Sequence, residues 1–190
     1  MKKIALTLAA LALAAGAHAQ IGANSTQPHA YGLLSLGQSR LNVSCDGSLA
    51  CDKSATGGKA MLGYSFGNGF ALEGGYANFG KFRASSGPLS VSGKPEAVVL
   101  GGAYTAELTP DWALTGRLGA AYVRTKLHAD AGVLSGSDRE SKTQPIVGLA
   151  LNYALTPSTR VELGIDATRA EYQGERTNLR MVSLGARMAF

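Results

Sequence analysis

Four charged residues, Glu73, Arg117, Glu162 and Arg187, each break into a run in which every second side chain is apolar, and each stands on the other phase of the alternation. A period of two puts them on the strand face opposite the apolar one. Counted from the nearest turn or chain end, Glu73, Glu162 and Arg187 lie about three residues along and Arg117 about five, so the four reach a similar depth. Two acids and two bases at one level balance. Enclosed together they must pair, because a lone buried charge is too costly. Such a layer is either a plug of ion pairs or a gated path for ions or protons, and the charge balance favours the plug. Whether Arg117 pairs with Glu73 or with Glu162 is open. Lys59 and Asp166 occupy the same face nearer its other end, and Gly75, Gly101, Gly119, Gly148, Gly164 and Gly185 leave room around the charges.

Other residue types offer less. A hydrolase acting on lipid would need a His–Ser nucleophile arrangement near the membrane surface. His128-Ala129-Asp130 opens a polar stretch with Ser135 and Ser137 further on, without a close His-x-Ser pairing, and His29 lies near the start of the chain. Cys45 and Cys51, beside Asp46 and Asp52, lack the second Cys/His pair of a tetrahedral metal site. Gly67-Asn68-Gly69 is a hairpin turn, since no helix follows it to make a phosphate loop. No catalytic residue, cofactor or metal is expected.

The elements that position the charges begin after an export signal. Lys2 and Lys3 precede an apolar run over 4–15, and Ala17-His18-Ala19 is an A-x-A site, so residues 1–19 read as a cleaved signal peptide and 20–190 as one domain. The run is shorter than the roughly twenty residues of a membrane-spanning helix. Loss of Lys2 and Lys3 takes the formal charge from +5 to +3, too mild an excess to point to nucleic acid. In an exported chain Cys45 and Cys51 are expected to form a disulfide.

Alternation then recurs in eight runs: 31–39, 59–66, 70–79, 96–106, 112–126, 144–154, 160–168 and the stretch ending at Phe190. The connections switch between long and short. The short ones carry Gly67-Asn68-Gly69, Leu108-Thr109-Pro110-Asp111 and Thr156-Pro157-Ser158; the long ones are polar, at about 40–58, 81–93, 127–143 and 171–177. With 25 glycines, 16% charged residues and no apolar block, this is the layout of an all-β, eight-stranded antiparallel up-and-down transmembrane β-barrel. Short turns and both termini fall on the periplasmic side. Tyr64, Phe66, Phe70, Tyr104, Trp112, Tyr153 and Phe190 cluster at that end as an aromatic girdle. Trp112 and Tyr122 share a face ten residues apart, roughly 25 Å at a tilt near 40°, the height of an apolar band. Arg180 stands ten residues from Phe190 on the same face and reaches the other interface.

GYSFGNGFALEGGYANFGK (63–81), ELTPDWALTGRLGAAY (107–122) and the terminal SLGARMAF resemble the small eight-stranded outer-membrane barrels, namely the OmpA-like transmembrane domain and the opacity and OmpX-type proteins. OmpA itself carries a peptidoglycan-binding domain after its barrel; this chain stops at Phe190, so a cell-wall tether is not implied. The resemblance implies a structural role in the outer membrane, with lipid and lipopolysaccharide around the barrel and loops open to a host or surface ligand. It also implies that Phe190, with Met188, belongs to the signal read by the assembly machinery and periplasmic chaperones during biogenesis. A transport barrel of the OmpW type is the alternative, which needs a continuous apolar lumen. A soluble lipid-binding barrel ranks third, because its inward face should be the apolar one.

Overall fold

A computed structural model describes residues 27–41, 50–52, 54–86, 89–131, 134–172 and 175–190; within them, the side chains at 50–52, 83–91, 126–131, 134–140, 170–172 and 175–176 are not described. The expected signal segment and Cys45 lie outside the described residues, and of Cys51 only the backbone is described. Ten strands follow in order: β1 (His29–Leu41), β2 (Ala50–Asp52), β3 (Ser54–Ser65), β4 (Phe70–Asn78), β5 (Phe82–Ser86), β6 (Leu89–Glu107), β7 (Trp112–Ala131), β8 (Leu134–Thr156), β9 (Thr159–Tyr172) and β10 (Glu175–Ala189). Eight of them are the staves of a closed antiparallel barrel, in the ring β1-β3-β4-β6-β7-β8-β9-β10, which β10 closes on β1. The remaining two are short: β5 pairs with the far end of β6, and β2 with β5.

Strand register fixes the barrel's shape. Stepping around the ring from Tyr31 through Gly63, Glu73, Gly101, Gly119, Ile146 and Thr168 arrives at Leu179, whereas Tyr31 pairs directly with Ala189. The stagger is therefore ten residues over eight strands. With about 3.3 Å per residue and about 4.8 Å between strands, that corresponds to a tilt of about 40°.

Three tight turns and the chain end gather at one rim. Gly67 and Gly69 adopt φ of 78° and 86°, a left-handed conformation that glycine enters without a Cβ clash. Asn68 Oδ1 accepts the Phe70 amide at 3.1 Å, and the Thr105 amide donates to the Gly69 carbonyl at 2.8 Å, tying this turn to β6. In the next turn Thr109 Oγ1 accepts the Trp112 amide at 3.1 Å; in the third, Thr156 Oγ1 accepts the Thr159 amide at 3.0 Å. The Phe190 amide donates to the Ala30 carbonyl at 3.0 Å and completes the seam.

At the opposite rim the long connections are less irregular than their composition predicts. The stretch 81–93 contains β5 and the start of β6. The stretch 127–143 is mostly a β-hairpin, in which β7 and β8 stay paired out to Ala131↔Leu134. In the stretch 171–177 the described residues 171–172 and 175–177 belong to the ends of β9 and β10, and β3 starts at Ser54, before the predicted 59. Alternation fades there because both faces of a hairpin beyond the membrane meet water. The ladder continues regardless, since each paired residue presents the next N–H and C=O groups already in register.

Faces follow the sequence pattern with the sense of a membrane barrel. Leu36 is 73% exposed and Leu184 59%, while inward Leu33 is 0% exposed. Tyr64, Phe66, Phe70, Tyr104, Trp112, Tyr153 and Phe190 are all exposed at the short-turn rim. Phe70 packs on Tyr104 and Trp112 on Tyr153, each with ring centroids 4.8 Å apart. A largely apolar outer wall rules against the soluble lipid-binding barrel, whose greasy face would point inward.

Candidate functional site in the barrel lumen

Alternate residues of β1, β3, β4, β7, β9 and β10 send polar side chains into the lumen, and the stagger of the staves brings them to one layer. Arg117 on β7 sits between two carboxylates. Its Nε donates to Glu73 Oε2 at 2.7 Å and its Nη2 to Glu162 Oε2 at 2.6 Å. The open question of its partner therefore resolves as both. Charge-assisted hydrogen bonds of this length are the strong kind. Both carboxylates are buried and the guanidinium nearly so, which keeps these charges paired away from water.

The chain of contacts extends both ways. Lys59 donates to Asp166 Oδ2 at 2.6 Å and stands 3.7 Å from Glu162 Oε1. Sequence position places this pair nearer the outer end, with Asp166 above Glu162 on the same strand, and the Lys59 side chain bridges the two levels. On the other side the Tyr31 hydroxyl donates to Glu73 Oε1 at 2.6 Å. Arg187 departs from the predicted ion pair. Its guanidinium lies over the Tyr31 ring, 3.7 Å from the centroid, a cation–π contact. The phenol it covers is the one that bonds Glu73. Nearer the rim, on the same face of β9 as Glu162, Arg160 Nη2 holds both oxygens of Glu107 at 2.9 Å. Four cations (Lys59, Arg117, Arg160, Arg187) thus face four anions (Glu73, Glu107, Glu162, Asp166), and this stack carries no net charge.

Two glycines make the layer possible. A Cβ at Gly63 would overlap the Tyr31 ring, and one at Gly148 would stand 2.5 Å from Asp166 Oδ1 and 3.4 Å from Arg117 Cβ. Toward the long-hairpin rim the lumen changes character. Met61, Phe79, Val99, Val123, Leu179 and Met181 form an apolar cluster above the charges. Between the layers remains a cavity of about 40 Å³, room for no more than a few waters. Below them a vestibule of about 390 Å³, lined by Tyr31, Glu107, Arg160 and Arg187 among others, faces the short-turn rim.

A barrel of eight staves with a stagger of ten, an apolar wall outside and a packed polar interior has a counterpart among known families. Residues 27–190 match the OmpA-like transmembrane domain. The chain belongs to that family. No curated protein matches it at a significant level. Among solved structures, Ail, the attachment invasion locus protein of Yersinia pestis, shares 20% identity over 84% of this chain and 99% of its own, with a TM-score of 0.55. Neisserial surface protein A gives 17%, 85%, 97% and 0.60. OprG of Pseudomonas aeruginosa gives 13%, 88%, 98% and 0.54. The OmpA-like fold is what these likenesses share, and this chain is an outer-membrane β-barrel of that kind.

Within the OmpA-like barrel the remaining sequence candidates are scattered. His29 is buried at the rim, its Nδ1 3.0 Å from the Gln27 carbonyl. The ladder sets His128 opposite Ser137, roughly 15 Å beyond Tyr122 on the hairpin and so above the membrane interface. Among the described residues no group of three or more His, Cys, Asp or Glu could hold a metal. Sequence reasoning misses Tyr31 and the Arg160–Glu107 pair. The signal for Arg160 is present, because it shares the phase of Glu162; a tyrosine at a strand start carries none.

Proposed function

We propose that this OmpA-like barrel is a structural and interaction protein of the bacterial outer membrane, with both termini periplasmic, a lumen closed by its own side chains, and hairpin tips free to contact a host or surface ligand. The observation that carries the reading is the double closure: a neutral ion-pair layer backed by an apolar one, with a cavity of only about 40 Å³ between. Opening it would strand charges in a site of low dielectric. The relative Ail, solved with the heparin analogue sucrose octasulfate, supports surface contact as a role for the tips. Lipid and lipopolysaccharide would surround the wall, and the assembly machinery and periplasmic chaperones would handle the chain on its way, with Phe190 and Met188 in the signal they read. No catalysis is assigned. The OmpW-type transport alternative needs a continuous apolar passage, which a charged layer interrupts.

The test begins with the protein folded into lipid. An outer-membrane barrel shifts mobility on gels between unheated and boiled samples; a chain with no shift in outer-membrane fractions would end this reading. Binding of a sulfated polysaccharide to cells displaying the protein, lost when the tips at 127–138 are trimmed, would support the surface role. Equal binding by trimmed and intact protein would contradict it.

A further inference from the structure

The outer wall holds a charge problem that the lumen does not. Arg40 on β1 and Arg180 on β10 are paired directly across the seam, and both point outward. Arg169 on β9 is level with Asn178, two residues beyond Arg180 on the same outward face. Like charges directly opposite on adjacent strands destabilise a sheet. None of the three arginines has a carboxylate partner among the described residues. Their height is set by the seam: Arg180 stands ten residues from Phe190, as Tyr122 does from Trp112. They therefore crown the apolar band where headgroups begin.

Beneath them the wall is not smooth. Small residues Gly58 and Ala60 on β3 leave a groove walled by Leu34, Leu36, Tyr76 and Leu184. Leu36 is four residues below Arg40 on the same face, about 13 Å along the strand, a span an acyl chain covers.

We propose that this seam is a binding site for a phosphorylated, multiply acylated glycolipid of the outer leaflet, its phosphate bridging Arg40 and Arg180 and one acyl chain in the groove. The inference rests on the outer-membrane reading and names the lipid partner of the wall. Arginine suits the task, since its planar fork gives paired hydrogen bonds to phosphate. Cross-strand Cβ atoms about 5 Å apart let two guanidinium groups share one phosphate. The anion would turn the repulsion between the two arginines into a bridge. A second phosphate on the same lipid would engage Arg169, which favours lipid A over a phospholipid with a single phosphodiester.

The mature chain, refolded in dodecyl maltoside, is titrated with bis-phosphorylated hexa-acyl lipid A, its dephosphorylated form, or phosphatidylglycerol. Retained lipid is counted by native mass spectrometry, and the temperature of the gel-mobility transition is followed. Wild type is expected to retain lipid A at least tenfold better than either comparison lipid. The double variant R40Q/R180Q should lose that preference, while R124Q on β7 keeps it. The transition temperature supplies a sign test. Without lipid, R40Q/R180Q should match or exceed wild type, because a repulsion is gone; with lipid A, wild type should rise above it. Ala60→Leu, which fills the groove, should lower retention several-fold with all arginines in place. Equal retention of phosphatidylglycerol, or unchanged retention in R40Q/R180Q or Ala60→Leu, would overturn the site while leaving the barrel standing. A wild-type chain with no gel-mobility transition would overturn the barrel reading and the site together.

Discussion

Replacing Arg117 with alanine would leave Glu73 and Glu162 buried with one shared partner removed, so its effect should exceed that of any other single change in the lumen. Stranding buried carboxylates costs about 3–5 kcal/mol, to be read from urea unfolding in lipid. Glu73→Gln with Arg117→Met should cost less than the two singles added together, and the same holds for Glu162→Gln with Arg117→Met, because Arg117 touches both acids. Additive effects in both cycles would mean these contacts are absent in solution. Gly63→Ala should destabilise by about 1–3 kcal/mol, since the new methyl meets the Tyr31 ring, which Glu73 and Arg187 hold in place. Tyr31→Phe with Gly63→Ala would relieve it only in part, because ring carbons as well as the hydroxyl stand in the way. Alternation makes the inward charges legible in the sequence, as phase alone separates Glu73 from Leu72. Which charges meet is not legible, because it depends on the stagger of the staves. The Lys59 side chain ties Asp166 to the layer across a step along β9 that turn-counting does place, whereas the stagger seats Arg187 on Tyr31 rather than on a carboxylate.

Strands within the membrane band read cleanly because lipid and lumen impose opposite demands on successive residues; 70–79 against the observed Phe70–Asn78 is the nearest match. Beyond the band that contrast vanishes, and the paired ends of β7 and β8 look like polar loop. Those ends add length without adding burial in lipid. Replacing 127–138 with an Asn-Gly turn should therefore leave folded, heat-modifiable yield within about twofold of the intact protein. Removing Phe190 acts on the seam instead. The Phe190 amide pairs with Ala30, and an imperfectly closed edge is not viable in lipid. Membrane assembly of the truncated chain should fall far more than that of the trimmed hairpin, measured as heat-modifiable protein in outer-membrane fractions. Normal amounts would count against a role for the terminal aromatic. In the first long connection, Cys45 and Cys51 are expected to be disulfide-bonded, a closure contributing roughly 2 kcal/mol in the chain-entropy model. Thiol labelling of unfolded, unreduced protein should find none, and two free thiols per chain would refute the bond.

Across the whole molecule, an eight-stranded barrel is just wide enough for side chains to fill its interior, and here two layers of different chemistry fill it. Neither layer alone would seal so well: ions could be passed between charged groups, and small apolar solutes could slip past an apolar lining. On the proposed reading, the stacked layers would each block what the other admits, leaving the hairpin tips and outer wall for contact. Planar-bilayer recording of the folded protein tests this most directly. The wild type is expected to show no steady conductance, with openings only when a variant such as Arg117→Ala disrupts the charged layer. A steady, large-conductance pore in the wild type would contradict it.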